Sequence, residues 1–558
     1  MQMKDERKTS ICPSCAVGCS LRYDTETDQA TAPNDAVVNC NGQLCPEGIS
    51  AFDPLETDDR IDRPLIKRDG EYIPVSWETA YDRIESELTR IQNRDPDALA
   101  FLGSPHATNE ENYLFQKLAR ALGTNNIDNR ARLCHNSVEA AMNERLGSSA
   151  MSNSLEDLRE ADAFLVIGAN PAGRQPIAFD SYIRPAIENG ATLIQVDPSE
   201  NRTTQAADLS LSPRPDTDVF VIALLNLYIL NAELCDEQFI SERTEGFDQF
   251  VAAVDDIDQE ACAATAGVNL SEVRKIAHVF GRAERATIIT ATGIGECEYG
   301  GTETTDALID LLLLTGNFGD PGTGMNLFRG MNNEQGANDM GARPHTLPGY
   351  QDVTNPTARA RATKQWEIEP PATPGRSELD LVRSFGDSIE GAFVFGENPA
   401  MTKMDTQRIA QNLDRVFLVV QDPFLTETAA HADVILPASA WSEKSGTVTN
   451  LDRHVQRVRQ LTIPPEETKL DLEILCELGA RLTDSSFAYD GPEDVFEEMC
   501  QVNPLYAGMS YSGIEHGGQR WPFREAADEG TQILHEERFM NGKQRVRFEP
   551  ISIDPSPP

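Results

Sequence analysis

Short apolar runs alternate along the chain with longer segments whose apolar residues recur every three or four positions. Ala98 to Leu102, Ala163 to Ile167, Ala191 to Val196, Ala392 to Phe395 and Val416 to Val420 read as buried strands, and Ile288 runs as a strand into Gly293-Ile294-Gly295. Between them, Ser76 to Leu88 has helical spacing behind a serine cap. Asn109 to Leu122 predicts a second, amphipathic helix stopped by Gly123, and Thr305 to Leu314 a third. The longest apolar run, Val219 to Leu230, is interrupted by Asn226 and is too short to cross a bilayer. It predicts a buried helix entered through Asp216-Thr217-Asp218. Residues 351 to 380, with Pro356, Pro370, Pro371 and Pro374, read as a surface connection. The remainder mixes helix and short-strand signals, ends in Pro555-Ser556-Pro557-Pro558 and carries no evident chemistry.

One pattern occurs twice. The strand ending at Ile167 breaks at Gly168-Ala169-Asn170-Pro171, a helix follows, and the next strand ends in Asp197-Pro198; the strand ending at Phe395 breaks at Gly396-Glu397-Asn398-Pro399, and its partner ends in Gln421-Asp422-Pro423. Each half is a βαβ unit with a glycine turn at the carboxyl end of its first strand and an acid at the end of its second. That arrangement suits a phosphate on a helix amino end and a ribose on the carboxylate, so two halves imply two nucleotide sites. The fold class expected is multi-domain α/β with two Rossmann-like units.

Length and charge narrow the setting. A chain of 558 residues exceeds one core and predicts three or four domains. With 48 Lys+Arg against 90 Asp+Glu, the net charge of −42 argues against nucleic acid or an anionic membrane as partner. The acids are scattered, as expected of a halophilic protein working in multimolar salt. Met1 to Arg7 show neither an apolar signal core nor twin arginines, so a cytoplasmic location is expected. Eleven cysteines in such a chain point to metal ligation before disulfides.

Five of those cysteines lie at or before Cys45. Cys12, Cys15 and Cys19 have the spacing C-x2-C-x3-C, and a later loop supplies a fourth thiolate, a ligand set for a [4Fe-4S] cluster. Gly42 and Gly48 favour Cys45 over Cys40 as the fourth ligand, leaving Cys40 a spare thiol; zinc is the rival metal. Downstream, Arg132-Leu133-Cys134-His135 reads as a loop offering a soft-metal thiolate beside a group able to move a proton. Arg329 follows the glycine-rich loop Asp320-Pro321-Gly322-Thr323-Gly324 and is able to hold a small carboxylate. An isolated arginine is ordinarily a solvated surface charge.

Together C-P-S-C-A-V-G-C, R-L-C-H, T-G-N-F-G-D-P-G-T-G-M-N-L-F-R-G-M-N-N-E-Q-G-A-N-D-M-G and F-G-E-N-P with Q-D-P-F-L-T-E-T resemble the molybdenum or tungsten bis-pterin-dinucleotide oxidoreductases, most closely formate dehydrogenase catalytic subunits. The resemblance spans essentially the whole chain. It implies bis-molybdopterin guanine dinucleotide with molybdenum or tungsten, with Cys134 as metal ligand, His135 as acid/base or positioning partner and Arg329 as formate anchor. Cofactor contacts are expected at Gly168, Asn170, Asp197, Asp218, Gly293, Gly295, Gly330, Asn332, Gly396, Asn398, Gln421, Asp422 and Ser439, and the cluster at Cys12, Cys15, Cys19 and Cys45. The implied domains are 1–57 for the cluster, 58–133 with 336–445 and 134–335 for the two pterin-dinucleotide units, and 446–558 returning to the cluster domain.

The resemblance implies oxidation of formate to CO2, with electrons leaving through the cluster to an acceptor protein or subunit. Nitrate reductase, which normally lacks the histidine after its cysteine, and a non-catalytic subunit like the large subunit of respiratory complex I are the rivals; a Cys-His hydrolase is a third reading. Two departures stand out. Glu47 occupies the place of a family lysine between cluster and pterin, and the family's carboxyl-terminal pterin-capping domain is expected from a separate polypeptide.

Overall fold

The computed structural model describes residues 8–24, 29–55, 57, 59–297, 300–526, 529–551 and 553. Met1 to Arg7 and the Pro555-Ser556-Pro557-Pro558 end, read above, lie outside the described residues.

Two largely parallel sheets bear out the α/β class. The five-stranded sheet runs Leu209–Leu211, Thr192–Val196, Ala163–Ile167, Ala286–Thr290, Gly324–Leu327, all parallel. The seven-stranded sheet runs Glu71–Pro74, Leu65–Arg68, Val434–Pro437, Phe417–Asp422, Gly391–Phe395, Leu99–Gly103, Ile127–Asn129. Its last five strands are parallel, and an antiparallel hairpin closes the other edge. The central strands bury every residue, which is why they read as continuous apolar runs rather than alternating ones.

Local chemistry sets most element ends. Ser76 caps helix Trp77–Gln92 by accepting from Thr79 N, and Thr108 and Glu111 form a reciprocal capping box at the start of helix Asn109–Ala121. That second helix has the expected amphipathic pattern, but its polar face is not solvated: Asn109 to Arg120 are buried without interruption. Helices Asp471–Leu482 and Pro492–Val502, together with strand Gly446–Thr449, pack on it, and its polar residues find partners there. Lys117 Nζ, for example, donates to Glu498 Oε1 at 2.9 Å. The apolar run near 220 forms the buried helix Asp218–Asn231, and among the described residues no helix is long and apolar enough to cross a membrane.

The stretch 351–380 corrects the expectation of a surface connection. Pro356 sits at the first position of helix Pro356–Trp366 behind the Asn355 cap, where its missing N–H costs nothing. Ala358, Ala362 and Trp366, four residues apart, face inward, and Trp366 Nε1 donates to Tyr113 Oη at 2.7 Å. Pro356 is therefore a helix-start signal, whereas Pro370, Pro371 and Pro374 do lie outside regular elements.

Two small antiparallel sheets bring the ends of the described chain together. Ser10–Ile11, Ser20–Asp24 and Gln29–Thr31 form one, and Gly446–Thr449, His454–Val458 and Gln519–Arg520 the other. Leu451 N donates to Ala16 O at 2.8 Å, and Arg459 N to Ser10 Oγ at 3.1 Å, seating the late segment on the cysteine loop.

Candidate active site

Cys134 and His135 lie on a helix, not the expected loop. No glycine or proline interrupts Ala131 to Leu146, and the helix runs on to Gly147, whose φ of 82° ends it. Its first turn is anchored by Arg132, whose Nε lies 2.8 Å and Nη2 2.6 Å from Asp128 Oδ2. His135 and Glu139, one turn apart, are both buried, whereas Cys134 sits half-buried on the flank. Burial, reinforced by the charges of Glu334 and Glu296, pushes the Cys134 thiol up to about 11. Burial, then the charges of Arg329 and Arg343, hold His135 well below the usual imidazole range, so its ring is neutral.

Arg329, expected either at the surface or as a free anchor, is 0% exposed and surrounded by acceptors. Nη1 donates to Glu139 Oε1 at 2.5 Å and to Glu334 Oε1 at 3.3 Å; Nε donates to Gln335 Oε1 at 3.0 Å. Nη2 donates to Ser149 O at 3.2 Å and Oγ at 3.4 Å. Glu334 Oε1 also lies 3.1 Å from His135 Nε2. Glu334 therefore joins His135 to Arg329 beside Cys134. Its partner role, and that of Glu139, carried no sequence signal, because a helical carboxylate turned inward reads like one turned outward.

The four cysteines 12, 15, 19 and 45 line one small cavity walled by Val17, Leu44 and Ile177. Cys12 N donates to Cys19 O at 2.8 Å, folding that loop onto itself. Burial raises the thiols of Cys12, Cys15 and Cys19, Cys15 to about 12, a cost that thiolate–iron bonds would offset. Among the described residues no three His, Cys, Asp or Glu side chains gather closely enough for one ion. Thiols spread around a cavity fit a cluster better than a single zinc. Cys40 is exposed, its Sγ 3.3 Å from Arg159 Nη2.

Two larger cavities open at the glycine turns of the repeated halves. One, about 720 Å³, is lined by Gly168, Asn170, Asp197, Asp218, Gly293 and Gly330; the other, about 570 Å³, by Gly396, Gln421, Asp422 and Ser439. Ser14 and Glu47 line both. Asp218 and Asp422, pushed up to about 6 and about 7 chiefly by burial, are poised to share hydrogen bonds with polar ligand groups. These concave, mainly apolar sites with a few convergent polar groups suit two elongated cofactors.

Not every expected contact lines a cavity: Asn398, Gly295 and Asn332 line neither, and Asn170, which does, also braces its loop. Asn170 Oδ1 accepts from Thr203 Oγ1 at 2.9 Å, and Asn398 Oδ1 from Thr428 Oγ1 at 2.8 Å, so both amides brace their own loops in the same way. Gly295 is needed for packing: a Cβ there would meet Cys134 O at 2.5 Å. Asn332 is buried with its Oδ1 unpartnered. Asp471, which the sequence did not single out, accepts from Gln421 Nε2 at 2.6 Å, Ser439 Oγ at 2.8 Å and Lys444 Nζ at 2.8 Å. Gly168 combines a close approach with a left-handed backbone. Its φ is +58° and a Cβ would lie 2.7 Å from Ile294 N, so Gly168→Ala should cost about 1–3 kcal/mol in thermal unfolding. An unchanged melting temperature would contradict that contact.

The paired cavities open at the carboxyl ends of two parallel sheets, and the half-buried Cys134 and the buried His135, Glu334 and Arg329 lie on segments beside them. A family model described as molybdopterin oxidoreductase matches residues 60–481, and the chain belongs to that family. It is 36% identical over 547 residues to the F420-dependent formate dehydrogenase subunit alpha of Methanocaldococcus jannaschii, covering 97% of this chain and 80% of that one. It is 34% identical over 551 residues to formate dehydrogenase H of Escherichia coli (96% and 76%). It is 35% identical over 565 residues to the assimilatory nitrate reductase catalytic subunit of Bacillus subtilis (98% and 79%). Acetylene hydratase from Pelobacter acetylenicus shares the fold at a TM-score of 0.75 and 18% identity, over 99% of this chain and 79% of that one.

Proposed function

We propose that this chain is the catalytic subunit of a formate-oxidising molybdoenzyme that converts formate to CO2, two electrons and one proton. The observation that carries this reading is the meeting of His135 Nε2, Glu334 and Arg329 Nη1 in one buried cluster next to the Cys134 thiol. Molybdenum or tungsten between two pterin guanine dinucleotides supplies, when bound, the two-electron acceptor. The residues fit such a group: Cys134 offers one soft ligand, and the paired cavities offer glycine turns to phosphates and carboxylates to polar rings. Cys12, Cys15, Cys19 and Cys45 would hold a [4Fe-4S] cluster, which would supply one-electron transfer beside the site. His135 presents a neutral imidazole, and Glu334 Oε1, 3.1 Å from its Nε2, is the carboxylate that would stabilise the ring once it takes the released proton. Arg329 orients the carboxylate, a need sharpened by a net charge of −42 that repels anions at long range.

Metal analysis with parallel formate-dependent and nitrate-dependent dye assays tests the assignment: reduction of dye by formate is expected. Oxidation of reduced dye by nitrate, without formate activity, would instead establish the second reading, which rests on 35% identity to a nitrate reductase. A scaffold without catalysis is disfavoured because burying two guanidinium and two carboxylate groups together contributes little stability by itself. The partner in this reading is an electron-accepting protein or subunit. The acidic surface belongs to a cytoplasm of high salt.

Glu47 is exposed and two residues from Cys45, and its charge reaches Cys12 and Cys15. A negative charge there favours the oxidised cluster, so Glu47→Lys should raise the cluster's reduction potential by on the order of 50 mV after solvent screening. A redox titration followed by electron paramagnetic resonance reads the shift; no shift, or a fall, would remove Glu47 from the electron path.

A further inference from the structure

Arg329 has two carboxylates, and they are not equivalent. Glu139 is a permanent partner: its Oε1 accepts from Arg329 Nη1 at 2.5 Å and Asn338 Nδ2 at 3.0 Å, and its Oε2 faces Arg343. Glu334 is held differently. Its Oε2 accepts from Gly330 N at 3.2 Å and Met331 N at 3.4 Å, which tethers it to its own loop. Its Oε1 alone reaches into the cluster, 3.3 Å from Arg329 Nη1 and 3.1 Å from His135 Nε2. The imidazole is fully buried, yet neither of its ring nitrogens makes an aligned hydrogen bond, so the contact with Glu334 is one of proximity alone.

A carboxylate oxygen lodged between a guanidinium N–H and an imidazole nitrogen stands where one oxygen of a small monoanion held by both would stand. We propose that Glu334 occupies the anion seat between Arg329 and His135, and that it sets the enzyme's affinity for small monoanions by having to leave that seat before one binds. The loop that leads into Glu334, the first residue of helix Glu334–Asp339, is placed for such a role. Phe328 and Gly330, on either side of Arg329, line one cofactor cavity, while Asn333 N donates at 3.0 Å to Pro105 O beside the other. Charge points the same way. With Glu139 and Glu334 against Arg329 and Arg343 the buried cluster is balanced, so an added anion meets no net attraction until Glu334 withdraws.

The seat itself does not depend on the substrate, but its use for formate rests on the function proposed above. The test is calorimetric binding of formate and of azide, an inert small monoanion, to the oxidised holoenzyme and its variants. Glu334→Gln keeps an oxygen for Gly330 N and removes the charge, and it should bind both anions about tenfold tighter, or ~1.4 kcal/mol. The KM for formate should fall with it. Glu334→Ser, which empties the seat without relying on the amide's placement, should tighten binding likewise and decides the matter if the glutamine variant does not fold. Arg329→Met in the Glu334→Gln background should abolish the gain, locating it at this guanidinium. Equal or weaker binding of both anions in the folded variants would overturn the proposal, because a merely structural Glu334 predicts that loss. Tighter azide binding in an enzyme that does not oxidise formate would sustain the seat and end the formate reading. Formate oxidation with no tightening in either variant would do the reverse.

Discussion

Glu139→Ala is expected to destabilise the protein by about 3–5 kcal/mol, because it leaves the buried Arg343 without its carboxylate and takes from Arg329 one of its two. Arg329 and Arg343 are 0% and 2% exposed, and both turn to this one carboxylate. Burial already pushes Arg343 down to about 10, which measures how poorly water compensates its charge. Arg343 Nε has no partner, so nothing nearby replaces the lost acceptor. Denaturant unfolding followed by circular dichroism reads the effect as a lower midpoint at unchanged slope. Glu139→Gln, which keeps an acceptor oxygen but no charge, should fall between the two. A loss under about 1 kcal/mol for the alanine variant would mean that water reaches the cluster, and the dry environment argued for His135 would go with it.

The βαβ repeat was legible because it is local: glycine at the end of one apolar run and an acid at the end of the next are sequence neighbours of their own strands, and the two cavities form where those turns lie. The cysteine loop was legible for the same reason, three thiols falling within eight residues. What escaped were partnerships across long separations. Glu139 lies 190 residues from Arg329, and Asp471 lies 50 from Gln421, and neither acid differs locally from a surface one. Helix Asn109–Ala121 escaped for a related reason: its glutamates and lysine suggest a wet face, but packing by later helices buries that face and pairs its charges. The helix at Cys134 was missed because propensity is a weak prior, and a motif bearing chemistry invites a loop reading that nothing in its residues requires.

Replacing Cys134 by serine should lower formate-dependent dye reduction by about a thousandfold or more, ~4 kcal/mol of transition-state stabilisation, and leave the visible absorption of the iron–sulfur cluster unchanged. The reasoning is one of donor softness and place. Serine is nearly isosteric, so the helix Ala131–Leu146 and the contacts of His135 survive; what changes is a polarizable thiolate for a hard, scarcely ionised hydroxyl. The flank position matters too, since Cys134 is half-buried and so open to a bound group, unlike Cys262, which packs in the core. Two further variants separate the centres. Cys45→Ser should bleach the cluster absorption, because that side chain lines the small thiol cavity, whereas Cys40→Ser, at an exposed position outside it, should alter neither property. Turnover in Cys134→Ser equal to the parent enzyme would remove the ligand assignment. Loss of cluster absorption in that variant would instead show that Cys134 supports the cysteine loop, and the metal would have to be sought among other side chains facing the paired cavities.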